Sequence, residues 1–128
     1  MKTVFLSLLL MLGVSCFAQT ESSAEKQVDT KIEAFYFHNT RRCETCKAVE
    51  NVSSEALKTM QIQLKSLNID EDKNMAIAEK VGAGGQALII TNGKKNIDLT
   101  NKGFMYARSN PDKLKAAIEK AVKELDNE

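Results

Sequence analysis

The sequence predicts a small α/β sandwich, a four-stranded mixed sheet flanked by helices in the order strand, helix, strand, helix, strand, strand, helix. Three observations carry that expectation. Residues 31–38, Lys-Ile-Glu-Ala-Phe-Tyr-Phe-His, place Ile32, Ala34, Tyr36 and His38 on one side of an extended chain and Phe35 and Phe37 on the other, as in an internal strand covered on both faces. Near the C-terminus, Leu114, Ala117, Ile118, Ala121, Val122 and Leu125 recur at helical spacing behind an Asn110 cap and Pro111, and the opposite face is lysine and glutamate. Between these ends helical and extended segments alternate, and a right-handed crossover then sets the first strand at the centre of the sheet.

Each element has a local reason. Residues 39–42 are a polar turn. A helix starts around Cys43 and runs to about Met60, with Cys46, Val49, Val52, Ala56, Leu57 and Met60 as its apolar face and a break expected over the polar residues 51–54. The next strand covers residues 61–69. Ile62 and Leu64, then Leu67 and Ile69, take its buried positions, and the change of phase at Lys65 and Ser66 predicts a bulge. Residues 70–73 lead into a short helix whose apolar stripe is Met75, Ala78 and Val81 with Ile77, and which ends at Gly82. After a glycine-rich turn, residues 86–91 form a compact apolar strand. Asn92-Gly93 predicts a two-residue hairpin with both positions at positive φ, and residues 97–100 supply the antiparallel partner. Phe104, Met105 and Tyr106 read as a core plug.

At 128 residues and 14.2 kDa, 43% apolar and 27% charged, the chain fits one small core and leaves no room for two. Lysine and arginine number 18 against 17 acids, with no basic cluster. That balance excludes the footprint of a nucleic-acid binder and a polybasic membrane patch. Residues 1–18 read as a secretory signal peptide: Lys2 supplies the positive start, residues 4–14 the apolar run, and Cys16-Phe17-Ala18 the small-x-small cleavage site. Cys16 offers a second outcome, as the lipidated first residue of an anchored form. Residues 19–30, polar and aperiodic, read as a flexible leader, and the folded domain spans residues 31–126. No later window is apolar enough to cross a membrane. The expectation is an exported, periplasmic protein.

Cleavage removes one lysine and no acid, leaving 17 bases against 17 acids, and it leaves two cysteines, Cys43 and Cys46. Export puts that pair where disulfides persist, and a spacing of three is too short to staple a fold, so the pair points to chemistry. Cys43-Glu44-Thr45-Cys46 sits where the first strand gives way to the first helix. There the unpaired backbone amides and the helix dipole stabilise a thiolate, and Arg41 and Arg42 push the same way while Glu44 opposes them. Cys43 is the expected attacking thiol and Cys46, one turn inward, the resolving one. His38 can act as a base toward Cys43 or simply end a strand; Arg41 and Arg42 can fork onto an anion or be solvated turn residues; Glu50 is expected to be exposed. A metal reading would use Cys43, Cys46 and His38, and the same soft sulfurs would suit trivalent arsenic. An inert pair of core cysteines is the remaining alternative. No organic cofactor is evident: Gly82-Ala83-Gly84-Gly85 follows a helix, not a strand, and lacks the dinucleotide spacing. The redox-active group is the Cys43–Cys46 disulfide itself.

From residue 31 to residue 125 the chain resembles the thioredoxin-like superfamily. The resemblance rests on strand-then-CxxC-then-helix, on Leu67-Asn68-Ile69-Asp70 before a short helix, and on Ala87-Leu88-Ile89-Ile90 before Asn92-Gly93. It implies thiol–disulfide exchange through a mixed disulfide on the first cysteine, resolved by the second, with a protein redox partner. Three positions depart from the family pattern: Gly85 stands where a cis-proline usually faces the dithiol, Phe37 where a buried acid often sits, and Arg42 where tryptophan is usual. Those departures favour a dedicated subunit over a general disulfide reductase. Tyr36-Phe37-His38, Arg42-Cys43-x-x-Cys46-Lys47-Ala48-Val49-Glu50 and the export segment resemble, more narrowly, the small nitrophenyl-reduction subunits of arsenic-resistance operons. That resemblance implies a second small reductase subunit as partner and an aromatic or arsenical substrate.

Overall fold

A computed structural model describes residues 31–128; the signal peptide and leader expected over residues 1–30 lie outside the described residues. The chain runs β1 (Glu33–His38), α1 (Glu44–Lys58), β2 (Leu64–Asn68), α2 (Asp72–Lys80), β3 (Ala87–Thr91), β4 (Asn96–Asp98), α3 (Thr100–Tyr106) and α4 (Pro111–Asp126). The strands form one mixed sheet ordered β2-β1-β3-β4, with β1 parallel to β2 and antiparallel to β3. This is the α/β class that the sequence predicts, with β1 internal.

Alternation on β1 and β3 builds two cores. Ala34 and Tyr36 of β1 with Leu88 and Ile90 of β3 face α1, α3 and α4, where they meet Val49, Leu57, Leu114, Ile118 and Leu125. Phe35 and Phe37 with Ala87 and Ile89 face the other way, against Ala78 and Val81 at α2. Because both faces are covered, Ala34–Phe37 and Ala87–Ile90 are apolar without a break, and the buried Thr91 at the end of β3 bonds through its hydroxyl to Lys95 and Asn96. α4 is the main lid on the first face. Asn110 Oδ1 accepts the Lys113 N–H at 3.2 Å, Pro111 starts the helix, and Leu114, Ile118, Ala121, Val122 and Leu125 are its buried stripe.

Five local expectations need correction. α1 is continuous through residues 51–54, because Ser53 turns inward and is fully buried while Asn51 and Ser54 face solvent. β2 has no bulge: it pairs in unbroken register from Ala34–Leu64 to His38–Asn68. Its change of phase reflects the two-faced sheet, since Ile62 and Leu64 pack on the first core and Leu67 and Ile69 on the second. α2 buries Asn74 and Ala78, not Met75 and Ile77, which are 48% and 36% exposed. Asn74 Nδ2 donates to the Asn68 carbonyl at 2.9 Å and thereby turns the Asn74, Ala78, Val81 stripe inward. The hairpin loop has four residues, Asn92 to Lys95; only Gly93 adopts positive φ, while Asn92 Oδ1 accepts the N–H groups of Lys94 and Lys95.

The fifth correction is α3, which adds a helix to the expected order and shortens the last strand. Asp98 Oδ1 accepts the Thr100 N–H at 2.8 Å and starts it. Gly103 masks the helical signal, and tertiary contact explains it: a Cβ there would lie 3.1 Å from Val49 Cγ1 and 3.7 Å from Leu88 Cδ2. Of the expected core plug, Phe104 and Tyr106 pack against the first core and Met105 is 62% exposed. No helix among the described residues is long and apolar enough to cross a membrane.

Ile118 is fully buried between α4 and the sheet. Ile118→Ala is expected to cost about 2–5 kcal/mol of unfolding free energy through lost transfer and residual cavity, read from the urea midpoint with an unchanged slope.

Candidate functional site

β1 ends at His38 and α1 begins at Glu44, so the five residues between them carry the chain from the buried sheet to a helix start. Two sets of bonds hold this turn against the turn that follows β2. Asp70 Oδ2 accepts the Thr40 N–H at 2.7 Å, and Asp70 Oδ1 accepts from Asn39 Nδ2 at 3.1 Å. Asn68 Nδ2 donates to Thr40 Oγ1 at 2.9 Å, and the Ile69 N–H donates to the His38 carbonyl at 2.8 Å. The donated bonds, the Thr40 N–H foremost, hold the Asp70 carboxyl below its usual range.

Cys43 is the N-cap of α1. Its backbone is extended, with φ −83° and ψ 165°, and its Sγ accepts the Cys46 N–H at 3.1 Å, the place a serine or aspartate oxygen would occupy. Cys43 is exposed; Cys46 is 3% exposed and packs inward on the first turn. The two are joined as a disulfide with Cα atoms 5.0 Å apart. On reduction the sulfur of Cys43 would face an N–H donor and the positive end of a 15-residue helix, both of which favour the thiolate. The exposed member of the pair is therefore the one whose charged form the backbone stabilises.

The other expected residues are placed as follows. His38 Nδ1 lies 2.9 Å from the Asn39 carbonyl, which can only accept, so that nitrogen carries the proton. No hydrogen bond joins His38 to either cysteine among the described residues. Arg42 pairs with Glu50 across the first two turns of α1, and both are half-buried. The pairing corrects the expectation that Glu50 is exposed. Among the described residues Arg42 Nε is buried without a partner, as is the hydroxyl of Tyr36. Burial pushes the Tyr36 hydroxyl upward in pKa, and the charge of Arg42 opposes the shift. Arg41 is exposed, and Glu44 pairs with Lys47 at 3.1 Å on the helix surface.

Gly85 is half-buried, and a Cβ there would meet nothing within 4 Å. The side chain that this loop turns toward the dithiol belongs to its neighbour Gln86, whose Oε1 lies 3.6 Å from Cys46 Sγ and whose Nε2 donates to Asn39 Oδ1 at 2.8 Å. The apolar run over residues 86–91 predicts Gln86 inside the strand. The strand begins at Ala87, which leaves Gln86 as the last residue before it; a lone polar side chain between two glycines and an apolar run was the available signal. His38, Cys43 and Cys46 are not gathered into a ligand set: among the described residues no group of three or more His, Cys, Asp or Glu could hold a metal ion.

Because the Asp70 carboxyl is lowered in the folded state, its contribution to stability is present above the ordinary value of 3.8 and is lost as pH falls through the folded value. Asp70→Asn is therefore expected to lower the thermal midpoint near neutral pH, with the gap to the unsubstituted protein closing in acid. A gap independent of pH would contradict that origin.

Compared with known proteins, the chain matches no family model, no curated protein and no solved structure.

Proposed function

We propose that this chain is an exported, thioredoxin-like dithiol–disulfide oxidoreductase in which Cys43 attacks and Cys46 resolves. The observation that carries the reading is the asymmetry of the pair: an exposed sulfur that caps a helix and accepts a backbone N–H, joined as a disulfide to a buried sulfur one turn inward. The order of elements, with the dithiol at the end of an internal strand, supports the superfamily resemblance; the pattern of residues 1–18 supports export.

In the reducing direction the Cys43 thiolate attacks one sulfur of a partner disulfide and expels the other as a thiolate. Cys46 then gives up its proton and attacks Cys43 Sγ in the mixed disulfide, expelling the partner's second sulfur. The protein ends as the Cys43–Cys46 disulfide, and the partner has gained two electrons. The partner is accordingly a protein thiol or disulfide that can reach Cys43 from solvent.

The narrower role, a subunit for reducing nitroaromatic or arsenical compounds beside a second small reductase, is supported by the motif around Cys43 and by nothing in the geometry. Its electron count is definite: reduction of a nitro group to an amine takes six electrons and one dithiol gives two, so either the Cys43–Cys46 pair is oxidised three times per nitro group, with a separate thiol donor re-reducing it each time, or a second redox centre in the partner subunit supplies the rest.

Glutathione disulfide tests the assigned roles with the full chain. Cys46→Ser is expected to accumulate a glutathione adduct on Cys43, and Cys43→Ser to form one on Cys46 at least about tenfold more slowly, by site-resolved mass spectrometry. Equal rates would overturn the assignment.

A further inference from the structure

We propose that Gln86 sets the protonation state of the buried sulfur: its amide is locked with the carbonyl oxygen toward Cys46 Sγ, so the reduced protein holds Cys46 as the thiol and leaves the negative charge to Cys43. The inference deepens the dithiol reading above and rests on it.

The lock starts outside the site. An ionised carboxylate has no proton, so both oxygens of Asp70 can only accept, and they take N–H groups from Asn39 and Thr40 at 3.1 and 2.7 Å. This turns the amide nitrogen of Asn39 toward Asp70 and its Oδ1 the other way. That oxygen takes Gln86 Nε2 at 2.8 Å, which leaves Oε1 as the end of Gln86 facing Cys46 Sγ at 3.6 Å. Reversing either amide would set two nitrogens or two oxygens against each other. A fixed charge at the surface thus dictates, through two side chains, that an acceptor and not a donor meets the buried sulfur.

While the disulfide is closed, Cys46 has no proton and the approach is a contact only. Reduction supplies an S–H whose proton has an acceptor waiting. A thiolate at the same place would face oxygen lone pairs with no solvent to screen it, since Cys46 is 3% exposed. Cys43 has the opposite environment, an N–H donor at 3.1 Å. The charged and titratable groups around the pair are Arg41, Arg42, Glu44, Lys47 and Glu50 on the turn and α1, His38 at the end of β1 and Asp70 after β2. Among the described residues none of them bonds to Cys46 Sγ. Gln86 takes no proton itself; when Cys46 attacks the mixed disulfide, its proton passes to the partner's departing thiolate. Asn39 and Asp70 act through Gln86 and are positioning residues.

The test measures the pH dependence of Cys46 alkylation in full-length Cys43→Ser protein, with the peptide that carries Cys46 followed by mass spectrometry and separated from the one that carries Cys16. Asn39→Ala frees the Gln86 amide to turn an N–H toward the sulfur, and the thiolate fraction of Cys46 below its pKa is expected to rise about tenfold, one pKa unit. Asp70→Asn, at a surface position, is expected to act in the same direction by a smaller factor and serves if the Asn39 variant does not fold. Both effects are expected to vanish when Gln86→Met is added, which a merely structural role for Asn39 would not produce. Unchanged profiles in both variants, or the same shifts in the presence of Gln86→Met, would overturn the proposal. Exchange of the unsubstituted protein with glutathione disulfide is scored separately: if it is absent while the Cys46 profiles shift, the exchange role falls and the amide lock stands.

Discussion

A sulfur atom caps the first helix, and the chemistry proposed for the molecule depends on that substitution. Serine or aspartate at an N-cap gives an oxygen to an orphan N–H and the matter ends there. Cysteine in the same position gives an atom that is polarisable, ionisable and able to form a covalent bond to the next inward turn. The hydrogen bond from the Cys46 N–H to Cys43 Sγ therefore serves the helix and, in the proposed function, the reaction as well. It supports the cap while the pair is oxidised, and it would stabilise a charge when the pair is reduced.

That cap sits where it does because β1 is paired on both edges and packed on both faces. The strand is bonded to β2 on one side and β3 on the other, and its side chains fill a core on each face. Its C-terminal end thus delivers the turn at residues 39–42 to a fixed point, and Asp70 and Asn68 tie that turn to the end of β2. α4 holds α1 against the same sheet from outside, and Gly103 lets α3 lie close beneath Val49. In a small domain with a limited core, both clusters of that core pack on the strand that leads into the dithiol.

Elements whose burial is decided by their own sequence were legible. β1, β3 and α4 each show a pattern that only one environment satisfies, and the CxxC pair at a strand–helix junction marked the site. Elements whose burial is decided by neighbours were not. The phase of β2 looked like a bulge because one strand serves two cores; α2 showed a stripe of Met75 and Ile77 that the Asn74 bond turns toward solvent; α3 was hidden by a glycine that exists for packing. At the site, Arg42 and Glu50 are eight residues apart and their pairing across two helical turns carried no signature of its own. Gln86 is forty residues from Cys46, and no local rule joins them.

By itself the sequence determined the class of fold, the internal strand, the capped terminal helix and the position of the dithiol, because each follows from periodicity or from backbone groups within a few residues of one another. The sequence also set Cys46 inward and Cys43 outward; only the tertiary structure decided which charge Arg42 meets and which end of the Gln86 amide faces Cys46. The Arg42 pair depends on how two side chains pack along the start of one helix, and the amide direction on chain segments brought together by the sheet and on hydrogen bonds set by a carboxylate at Asp70 in a different turn. Periodicity reports which face of an element is buried, but it holds no information about what lies opposite.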